Sequence, residues 1–328
     1  MVKIIAEAAT CHAGQLELAK SLISMAADAG ADTVKFQHIV PHSLYAPHSI
    51  ISGERVLNPV IASRAEERLS NNNLLILKHF ADEIGIEFAL TLFDIESLEL
   101  ISTLELPFVK IASGDLTFLP FLEQISKLEV PVVLSTGMAS MSEISAAINV
   151  LNPKNPRSLT LLHCVSVYPC APSLVNLTRI SDLQEFGFEV GYSDHTLGDW
   201  AALSAVALGA KVIEKHIRLN GGPKTPDHDH SMTEIEFKRF VTSITVAEQG
   251  MLRHDKGLSN EETLVKSRAR RGVYAMTDLE IGHTIRELDL VFLRPESEFT
   301  PMNYIELVGR KVLQKIRRGD PIQVSYLR

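Results

Sequence analysis

The feature that most constrains the fold of this chain is an alternation of apolar, β-rich runs with amphipathic helical patterns over residues 2–248. Eight runs favour strands: Val2–Ala9, Asp32–Gln37, Ile86–Phe93, Phe108–Ser113, Val130–Thr136, Leu159–Val165, Glu189–Ser193 and Val212–Ile217. Helical patterns separate and follow them: Leu16–Ala29, Asn73–Ile84, Ile95–Leu104, Leu116–Leu128, Met141–Leu151, Leu174–Phe186, Asp199–Leu208 and Glu234–Glu248. Near-continuous apolar strands are covered on both faces. The pattern therefore predicts an α/β fold, a closed (β/α)8 or TIM barrel.

A doubly wound open sheet is the competing architecture for such an alternation. It would usually use fewer strands and would carry a glycine-rich, phosphate-binding turn after the first one. The segment Ala8–Gly14, at the end of the first predicted strand, contains no GxGxxG pattern. The closed barrel is therefore favoured.

The character of the chain changes after Gly250, where apolar periodicity gives way to polar and charged residues. We assign residues 1–252 to the barrel, residues 253–267 to a linker and residues 268–328 to a small β-rich domain. The small domain contains three β-like pieces, Val273–Met276, Leu290–Leu293 and Val324–Leu327. Because so small a unit gains little stability from its own core, we expect it to pack on a barrel, its own or a partner's.

Charge and cysteine content bear on the class of function. The chain has 32 Lys and Arg against 40 Asp and Glu, a net charge of −8 with no long basic run, which argues against nucleic-acid binding. Three cysteines without a CxxC pattern (Cys11, Cys164 and Cys170) favour a reducing compartment, so we expect a cytoplasmic protein. No signal peptide is apparent, and no apolar stretch approaches the roughly 18 residues that a membrane span needs. Small-molecule chemistry is the expected function.

Polar residues gather near the carboxyl ends of the predicted strands, the face on which TIM barrels build their active sites. They are Glu7, Lys35, Gln37, Thr91, Lys110, Ser113, Asp115, Ser135, Ser166, Tyr168, His195, Glu214 and His216. Spacing by two places Glu214 and His216 on one face of their strand, which we assign to the barrel lumen, and Lys215 on the other face. Any one of these residues has a purely structural explanation. Their concentration at one end predicts an active site.

Two histidines and one acidic loop are candidate metal ligands. His195 and His216 follow neighbouring strands and can share a divalent ion, with Glu7, Glu214 or water completing the shell. Neutral imidazoles with carboxylate or water suit manganese, magnesium, cobalt or iron. The segment Pro226–His230 (PDHDH) is a second candidate, since an extended conformation would place its two histidines on one side.

A phosphate group is the expected neighbour of that metal. Ammonium and hydroxyl donors that suit a phosphate come from Lys110, Ser113, Ser135 and Ser166. Phosphate and metal together indicate a phosphorylated acid as substrate.

Eight motifs, in this order, resemble the sialic acid synthase family, whose members condense phosphoenolpyruvate with an N-acylated amino sugar. They are AExxxxHxG at 6–14, KFQ at 35–37, KIASGD at 110–115, LSTGM at 134–138, HCxSxYP at 163–169, GYSDHT at 191–196, IEKHI at 213–217 and PDHxxS at 226–231. The C-terminal segment resembles that family's antifreeze-like (SAF) domain, with Arg294-Pro295 matching a substrate-contacting arginine and Gly309, Arg317 and Gly319 matching its turns. The resemblance covers almost the whole chain.

The resemblance implies a metal-dependent, aldol-type condensation that releases phosphate. It implies that His195 and His216 hold the metal, with Mn2+ expected and Mg2+ or Co2+ as alternatives. Residues matching the phosphoenolpyruvate site are Thr91, Lys110, Ser113, Ser135, Ser166 and Tyr168, and those matching the sugar side are Glu7, Lys35, Gln37, Asp115, Glu214 and Asp227. The expected catalytic residues are Lys110, which would hold the phosphate, and Glu7 or Glu214 as proton carrier. Since family members are dimers whose small domain caps the neighbouring barrel, Arg294 would act in the partner's site of a domain-swapped homodimer.

Departures from the family pattern concentrate near the sugar. Cys11 stands where the usual motif has asparagine, Asp115 where some members have glutamate, residues 296–299 read ESEF in place of a glycine-containing turn, and residues 38–73 show little resemblance. The acceptor is therefore open between N-acetylmannosamine, a diamino-dideoxy sugar leading to a legionaminic or pseudaminic type of acid, and a sugar phosphate. The alternative function is a metal-dependent barrel aldolase or epimerase that acts on a sugar without phosphoenolpyruvate.

Overall fold

The computed structural model describes residues 1–251 and 257–328. The chain separates into two compact units, residues 1–252 and 253–328. Residues 253–256 of the segment expected to be a linker lie outside the described residues, and helix α11 (Asn260–Ala269) occupies much of the rest. Within the described residues, no helix combines the length and the apolar character that crossing a bilayer requires.

The first unit is a closed barrel of eight parallel strands, as predicted. Around the barrel they run in the order β1, β10, β9, β8, β7, β6, β5, β2. Their bounds are β1 Lys3–Ala9, β2 Thr33–His38, β5 Glu87–Leu92, β6 Val109–Ile111, β7 Val132–Ser135, β8 Leu159–His163, β9 Glu189–Asp194 and β10 Val212–His216. Because every barrel strand pairs on both edges, no backbone edge is left open to solvent.

The lumen of the barrel is layered, and this layering positions the polar side chains. Small and apolar residues fill its lower layer: Ile5, Ala89, Phe108, Val133, Leu162 and Val212. Two residues further along the same strands come Glu7, Thr91, Lys110, Ser135 and Glu214, which line a cavity above that layer. Since side chains repeat with a period of two in a strand, a polar layer follows directly from an apolar one on the same face.

Helices cover the outside of the barrel and bury apolar stripes against it. They are α1 Leu16–Ala29, α4 Asn71–Ile84, α5 Glu99–Thr103, α6 Leu119–Ser126, α7 Met141–Leu151, α8 Arg179–Gln184, α9 Trp200–Ala207 and α10 Glu234–Met251. Helix α1 buries Leu22, Ile23 and Ala26 and ends at Gly30, whose φ of 86° is the left-handed cap that glycine adopts without steric cost. Helix α7 begins with a capping box between Ser140 and Glu143.

The segment between β2 and β5, for which the sequence predicted no strand or helix before residue 73, contains regular structure. It holds two short helices, α2 (Pro41–Leu44) and α3 (Pro59–Glu66), and an antiparallel hairpin, β3 (His48–Ile51) with β4 (Glu54–Leu57). The turn residues Ser52 and Gly53 both have positive φ, which matches the twist of a two-residue hairpin.

The second unit has its own buried core and one small antiparallel sheet. Strand β11 (Gly272–Ala275) pairs with β12 (Leu290–Leu293). Its core side chains include Val273, Ile285, Leu307, Ile316 and Ile322. The third β-like piece, residues 324–327, was wrongly predicted as a strand: residues 324–326 form a 3-10 turn, and only an isolated bridge joins Leu327 to Val312.

Candidate active site

A cavity of about 370 Å3 lies at the carboxyl ends of the barrel strands and gathers most of the predicted site residues. Its lining includes Glu7, Lys35, Gln37, Thr91, Lys110, Ser113, Ser135, Ser166, Tyr168, His195, Glu214 and His216. Three predicted residues are not part of that lining. Asp115 lies in the turn after β6, Asp227 lies in the loop after β10, and Arg294 belongs to the second unit.

A second cavity, of about 390 Å3, shows that size alone does not identify the site. It lies at the amino ends of β7 and β8, next to Val132 and Leu159. TIM-barrel enzymes carry their catalytic groups at the opposite end of the strands. The position of the polar layer therefore selects the 370 Å3 cavity.

Two lysines and two glutamates form an ion-paired layer at the floor of the cavity. Lys35 contacts the Glu7 carboxylate, and its Nζ lies 3.4 Å from Glu214 Oε2. Lys110 Nζ lies 3.7 Å from Glu214 Oε1 and donates to Ser135 Oγ at 2.7 Å. All four charged side chains are at most 5% exposed. Because buried charges are costly unless paired, the two ammonium groups and two carboxylates stabilise one another.

The charge state of this layer follows from its surroundings. Burial would raise the pKa of Glu214, but the ammonium groups of Lys110 and Lys35 outweigh it and hold that pKa at about 2. Glu214 is therefore a carboxylate at neutral pH. Burial lowers the pKa of Lys35, and the Glu214 carboxylate opposes that shift.

The backbone register brings an imidazole next to this layer. His216 on β10 is directly opposite Glu7 on β1, and Lys215, between Glu214 and His216, points away to a buried ion pair with Asp194 at 2.8 Å. The prediction that Glu214 and His216 face the lumen while Lys215 faces outward is confirmed.

His195 and His216 lie together, with ring centroids 5.6 Å apart. The Val165 carbonyl accepts a hydrogen bond from His195 Nδ1 at 2.8 Å, which leaves His195 Nε2 with a lone pair to coordinate. The Nδ1 atom of His216 is buried and has no hydrogen-bond partner among the described residues. Burial lowers the pKa of His195 to about 4 and holds the pKa of His216 well below its usual range, so both imidazoles are neutral, the form that binds metal ions.

The two candidate metal sites share His216. His216, Asp227 and His230 each offer a ligand atom, and these atoms all lie within 4.8 Å of one another. Residues 228–230 form a 3-10 turn, so the segment does not have the extended conformation that would place its two histidines on one side. That turn brings His230 to His216, whereas His228 Nδ1 lies 3.0 Å from the exposed Asp229 carboxylate.

A pocket of hydroxyl and backbone donors adjoins Lys110. The Gly137 amide donates to Ser113 Oγ at 3.0 Å. A Cβ on Gly137 would lie 2.6 Å from Ser166 Oγ and 2.8 Å from Ser113 Oγ and Cys164 Sγ. The absence of a side chain at this position therefore keeps the space between the two hydroxyls open.

Sequence reasoning assigned no role to four residues at or beside the cavity, Gly137, Met138, Cys164 and Ser193, whereas His230 belongs to the segment predicted as the second metal candidate. Ser193 donates to Glu214 Oε1 at 2.8 Å from the neighbouring strand. The period of two along residues 191–195 would have placed Ser193 on the same face as His195. The same period places Cys164, two residues after Leu162, on the lumen face, where its Sγ lies 3.0 Å from Ser113 Oγ.

The comparisons with known proteins agree with the resemblance. Residues 22–256 match the NeuB family and residues 270–328 match the SAF domain. The N,N'-diacetyllegionaminic acid synthases of Campylobacter jejuni and Legionella pneumophila are 38% and 36% identical, over 98% and 99% of this chain and 98% and 94% of their own lengths. The crystal structure of an N-acetylneuraminic acid synthetase from Leptospira borgpetersenii in complex with citrate is 31% identical, with a TM-score of 0.71 over 80% of this chain and 90% of that one. By family match and full-length similarity, this chain belongs to the NeuB family and ends in a SAF domain.

Proposed function

We propose that this protein is a nonulosonic acid synthase of the sialic acid type, which condenses phosphoenolpyruvate with an N-acylated amino sugar and releases phosphate. The observation that carries the proposal is a single cavity that holds a lysine with several hydroxyls and two neutral imidazoles. This combination suits an anionic phosphorylated donor and a divalent metal within reach of each other. Membership of the NeuB family supports the same reaction class.

The phosphate of the donor would be bound by Lys110 and the neighbouring hydroxyls. Lys110 Nζ already donates to Ser135 Oγ, and Ser113, Ser166 and the Gly137 amide surround an adjacent space. Charge-assisted hydrogen bonds from an ammonium group are among the strongest that a phosphate receives in a protein. Thr91 and Tyr168, which we also assign to the phosphoenolpyruvate site, line the same cavity.

The imidazoles fit a divalent metal, because both are neutral and one is held in a defined tautomer by the Val165 carbonyl. His195 and His216 would hold the ion, and Mn2+ is the metal we propose. The bound ion would act as a Lewis acid that polarises the aldehyde oxygen of the open-chain sugar. The orphaned Nδ1 of His216 supports this assignment, since a buried nitrogen without a partner requires a compensating ligand.

The two glutamates would divide the proton transfers. In the reaction, C3 of phosphoenolpyruvate bonds to the aldehyde carbon, the aldehyde oxygen gains a proton, water adds at C2, and loss of phosphate leaves a 2-keto acid. Glu214, ionised at neutral pH, suits the acceptor of the proton from that water. Glu7, whose carboxylate contacts the Lys35 ammonium, would then carry a proton from that ammonium to the aldehyde oxygen, and the proton that Glu214 takes from the water would restore Lys35, whose Nζ lies 3.4 Å from Glu214 Oε2.

The acceptor we propose is an unphosphorylated diacetamido sugar. Two relatives with near full-length similarity are N,N'-diacetyllegionaminic acid synthases, whose product carries two acetamido groups. Gln37, Asp115 and Asp227 are the residues we assign to its hydroxyl and amide groups.

We further propose a domain-swapped homodimer, with Arg294 contacting the sugar from the partner. We also propose a cytoplasmic location, which the free thiols of Cys11, Cys164 and Cys170 favour.

The deciding experiment is incubation of the purified protein with phosphoenolpyruvate, Mn2+ and a panel of N-acyl hexosamines, mono- and diacetamido, free and phosphorylated. We expect release of phosphate only when a sugar is present, and a product mass equal to sugar plus the pyruvate unit. Sugar cleavage or epimerisation without phosphoenolpyruvate would support the barrel aldolase or epimerase instead. No phosphate release with any sugar would overturn the proposal.

A further inference from the structure

His230 occupies a position to which the sequence resemblance assigns no role. In the motif PDHxxS at 226–231 it stands at a variable position, whereas His228 stands at a fixed one. The structure reverses their importance, because it is His230 that approaches the imidazoles of the cavity. The ring centroid of His230 lies 4.7 Å from that of His216 and 6.5 Å from that of His195.

The backbone after β10 explains this approach. The Met232 amide donates to the His216 carbonyl at 2.9 Å, and the Arg218 amide donates to the Met232 carbonyl at 2.9 Å. The chain thus leaves the barrel after β10, turns at residues 228–230 and returns to pair beside its own strand end. This return fixes His230 next to His216 on the rim of the barrel rather than leaving it in a free loop.

The polar atoms that meet at this point lack partners. The His230 side chain is 4% exposed, and neither its Nε2 nor Nδ1 of His216 has a hydrogen-bond partner among the described residues. His230 Nε2 lies 3.6 Å from Asp227 Oδ1, which is too far for a hydrogen bond. Buried polar atoms are seldom left unsatisfied, so their convergence points to a ligand that is shared between them.

A divalent cation meets this requirement. Ligand atoms bound to one ion at about 2.0–2.2 Å are necessarily close to one another, and the ligand atoms of His216, Asp227 and His230 all lie within 4.8 Å. A third imidazole and a carboxylate also change the preference of the site, since imidazole nitrogen favours transition ions over Mg2+.

We propose that His230 is a third imidazole ligand of the metal beside His216 and His195, with Asp227 as its carboxylate ligand through Oδ1, which leaves Asp227 Oδ2 for the sugar. This inference rests on the proposed function in so far as that function places the metal at His195 and His216. It adds that the chain holds the ion through a loop position that the motif PDHxxS leaves unspecified, and that the site binds Co2+ or Mn2+ more tightly than Mg2+.

The test measures metal binding directly, with no phosphoenolpyruvate or sugar present. Metal-free protein is titrated with Co2+ and followed by visible absorption, and bound metal is counted by elemental analysis. The variants are His230→Ala, His230→Gln and His216→Ala. The matched control is His228→Ala, a histidine of the same turn that lies outside the cluster. Circular dichroism and thermal unfolding report whether each variant remains folded.

We expect one Co2+ per chain, loss of binding in His216→Ala, and a rise in Kd of at least about tenfold with an altered spectrum in both His230 variants, while His228→Ala binds as the wild type does. Equal affinity and spectra for the His228 and His230 variants would overturn the inference and leave the metal assignment of the proposed function intact. A wild-type protein that binds neither Co2+ nor Mn2+ would overturn both.

A second measurement avoids substitution at position 230, in case those variants fail to fold. The wild-type protein is loaded with Mn2+, and pulsed electron paramagnetic resonance counts the histidine nitrogens coupled to the ion. Three coupled imidazoles are expected. A count of two, matching His195 and His216 alone, would overturn the role of His230 without affecting the proposed function.

Discussion

Glu7 on β1 and His216 on β10 are register partners, so the carboxylate that neutralises Lys35 also lies beside a proposed metal ligand. Lys35 is the partner of Glu7 on the opposite edge of β1. One glutamate thus joins the ion-paired floor of the cavity to its imidazole wall. A change at this position should affect the chemical step without removing the groups that bind phosphate.

Glu7→Gln is expected to lower kcat by roughly 10²–10⁴-fold, the range for loss of a proton-transferring group, while the KM for phosphoenolpyruvate changes little. The amide keeps the size of the side chain but cannot carry the proton, and the Lys110 and Ser135 pair is untouched. Steady-state kinetics with each substrate varied in turn measures this split. Glu17→Gln, on the exposed side of α1, is the matched control for an acidic residue outside the site. Near wild-type turnover in Glu7→Gln would remove Glu7 from the mechanism.

Gly137→Ala is expected to raise the KM for phosphoenolpyruvate strongly while the sugar KM changes little. The added methyl group would lie within 2.8 Å of Ser166 Oγ, Ser113 Oγ and Cys164 Sγ, and so would fill the space assigned to the phosphate. Gly114→Ala is the control, because a Cβ there meets no atom within 4 Å although the residue lines the same cavity. If both variants bound phosphoenolpyruvate equally well, the phosphate would have to lie elsewhere.

Much of this site follows from sequence because a strand fixes the direction of its side chains. The period of two is enough to place Glu214 and His216 on the lumen side and Lys215 on the helix side. The proximity of His230 to His216 could not be predicted in the same way. It depends on a turn after β10 whose return is fixed by the hydrogen bond from the Met232 amide to the His216 carbonyl.

The segment between β2 and β5 escaped prediction for a related reason. Its hairpin is closed by Ser52 and Gly53, and Ser at a positive φ is not a turn signal that stands out in a sequence. Its two helices are also short, with four residues in α2 and eight in α3. Patterns of that length carry too few turns for helical periodicity to be recognised.

Asp115 gives the site an expected dependence on pH. Burial raises the pKa of this carboxyl group from its usual range to about 6. The group is therefore charged above pH 6 and becomes protonated as the pH falls below it. If the carboxylate accepts hydrogen bonds from the sugar, as we propose, the affinity for the acceptor decreases as the pH falls through this value.

The measurement is the acceptor KM as a function of pH for the wild type and for Asp115→Asn. The asparagine variant cannot titrate at this position, so its acceptor KM should be higher at neutral pH and should lose the increase on the acidic side. The KM for phosphoenolpyruvate serves as the internal control. If the acceptor KM rose equally in both proteins as the pH fell, the pH dependence would belong to a group other than Asp115.

Arg294 tests the proposed exchange of small domains between subunits. In a swapped homodimer each active site combines the barrel of one chain with the SAF domain of the other. The variant Arg294→Ala has an intact barrel, and the variant His216→Ala has an intact SAF domain. Each homodimer alone therefore lacks one component in both of its sites.

Mixing the two variants under conditions that exchange subunits should restore activity, because each heterodimer contains one site in which both components are intact. Random pairing makes about half of the dimers mixed, each with one working site, so about a quarter of wild-type activity is expected. Native mass spectrometry of differently tagged chains verifies that heterodimers have formed. Mixed dimers without recovered activity would show that Arg294 does not serve the partner's barrel, since a cap acting within one chain leaves every site with a defect.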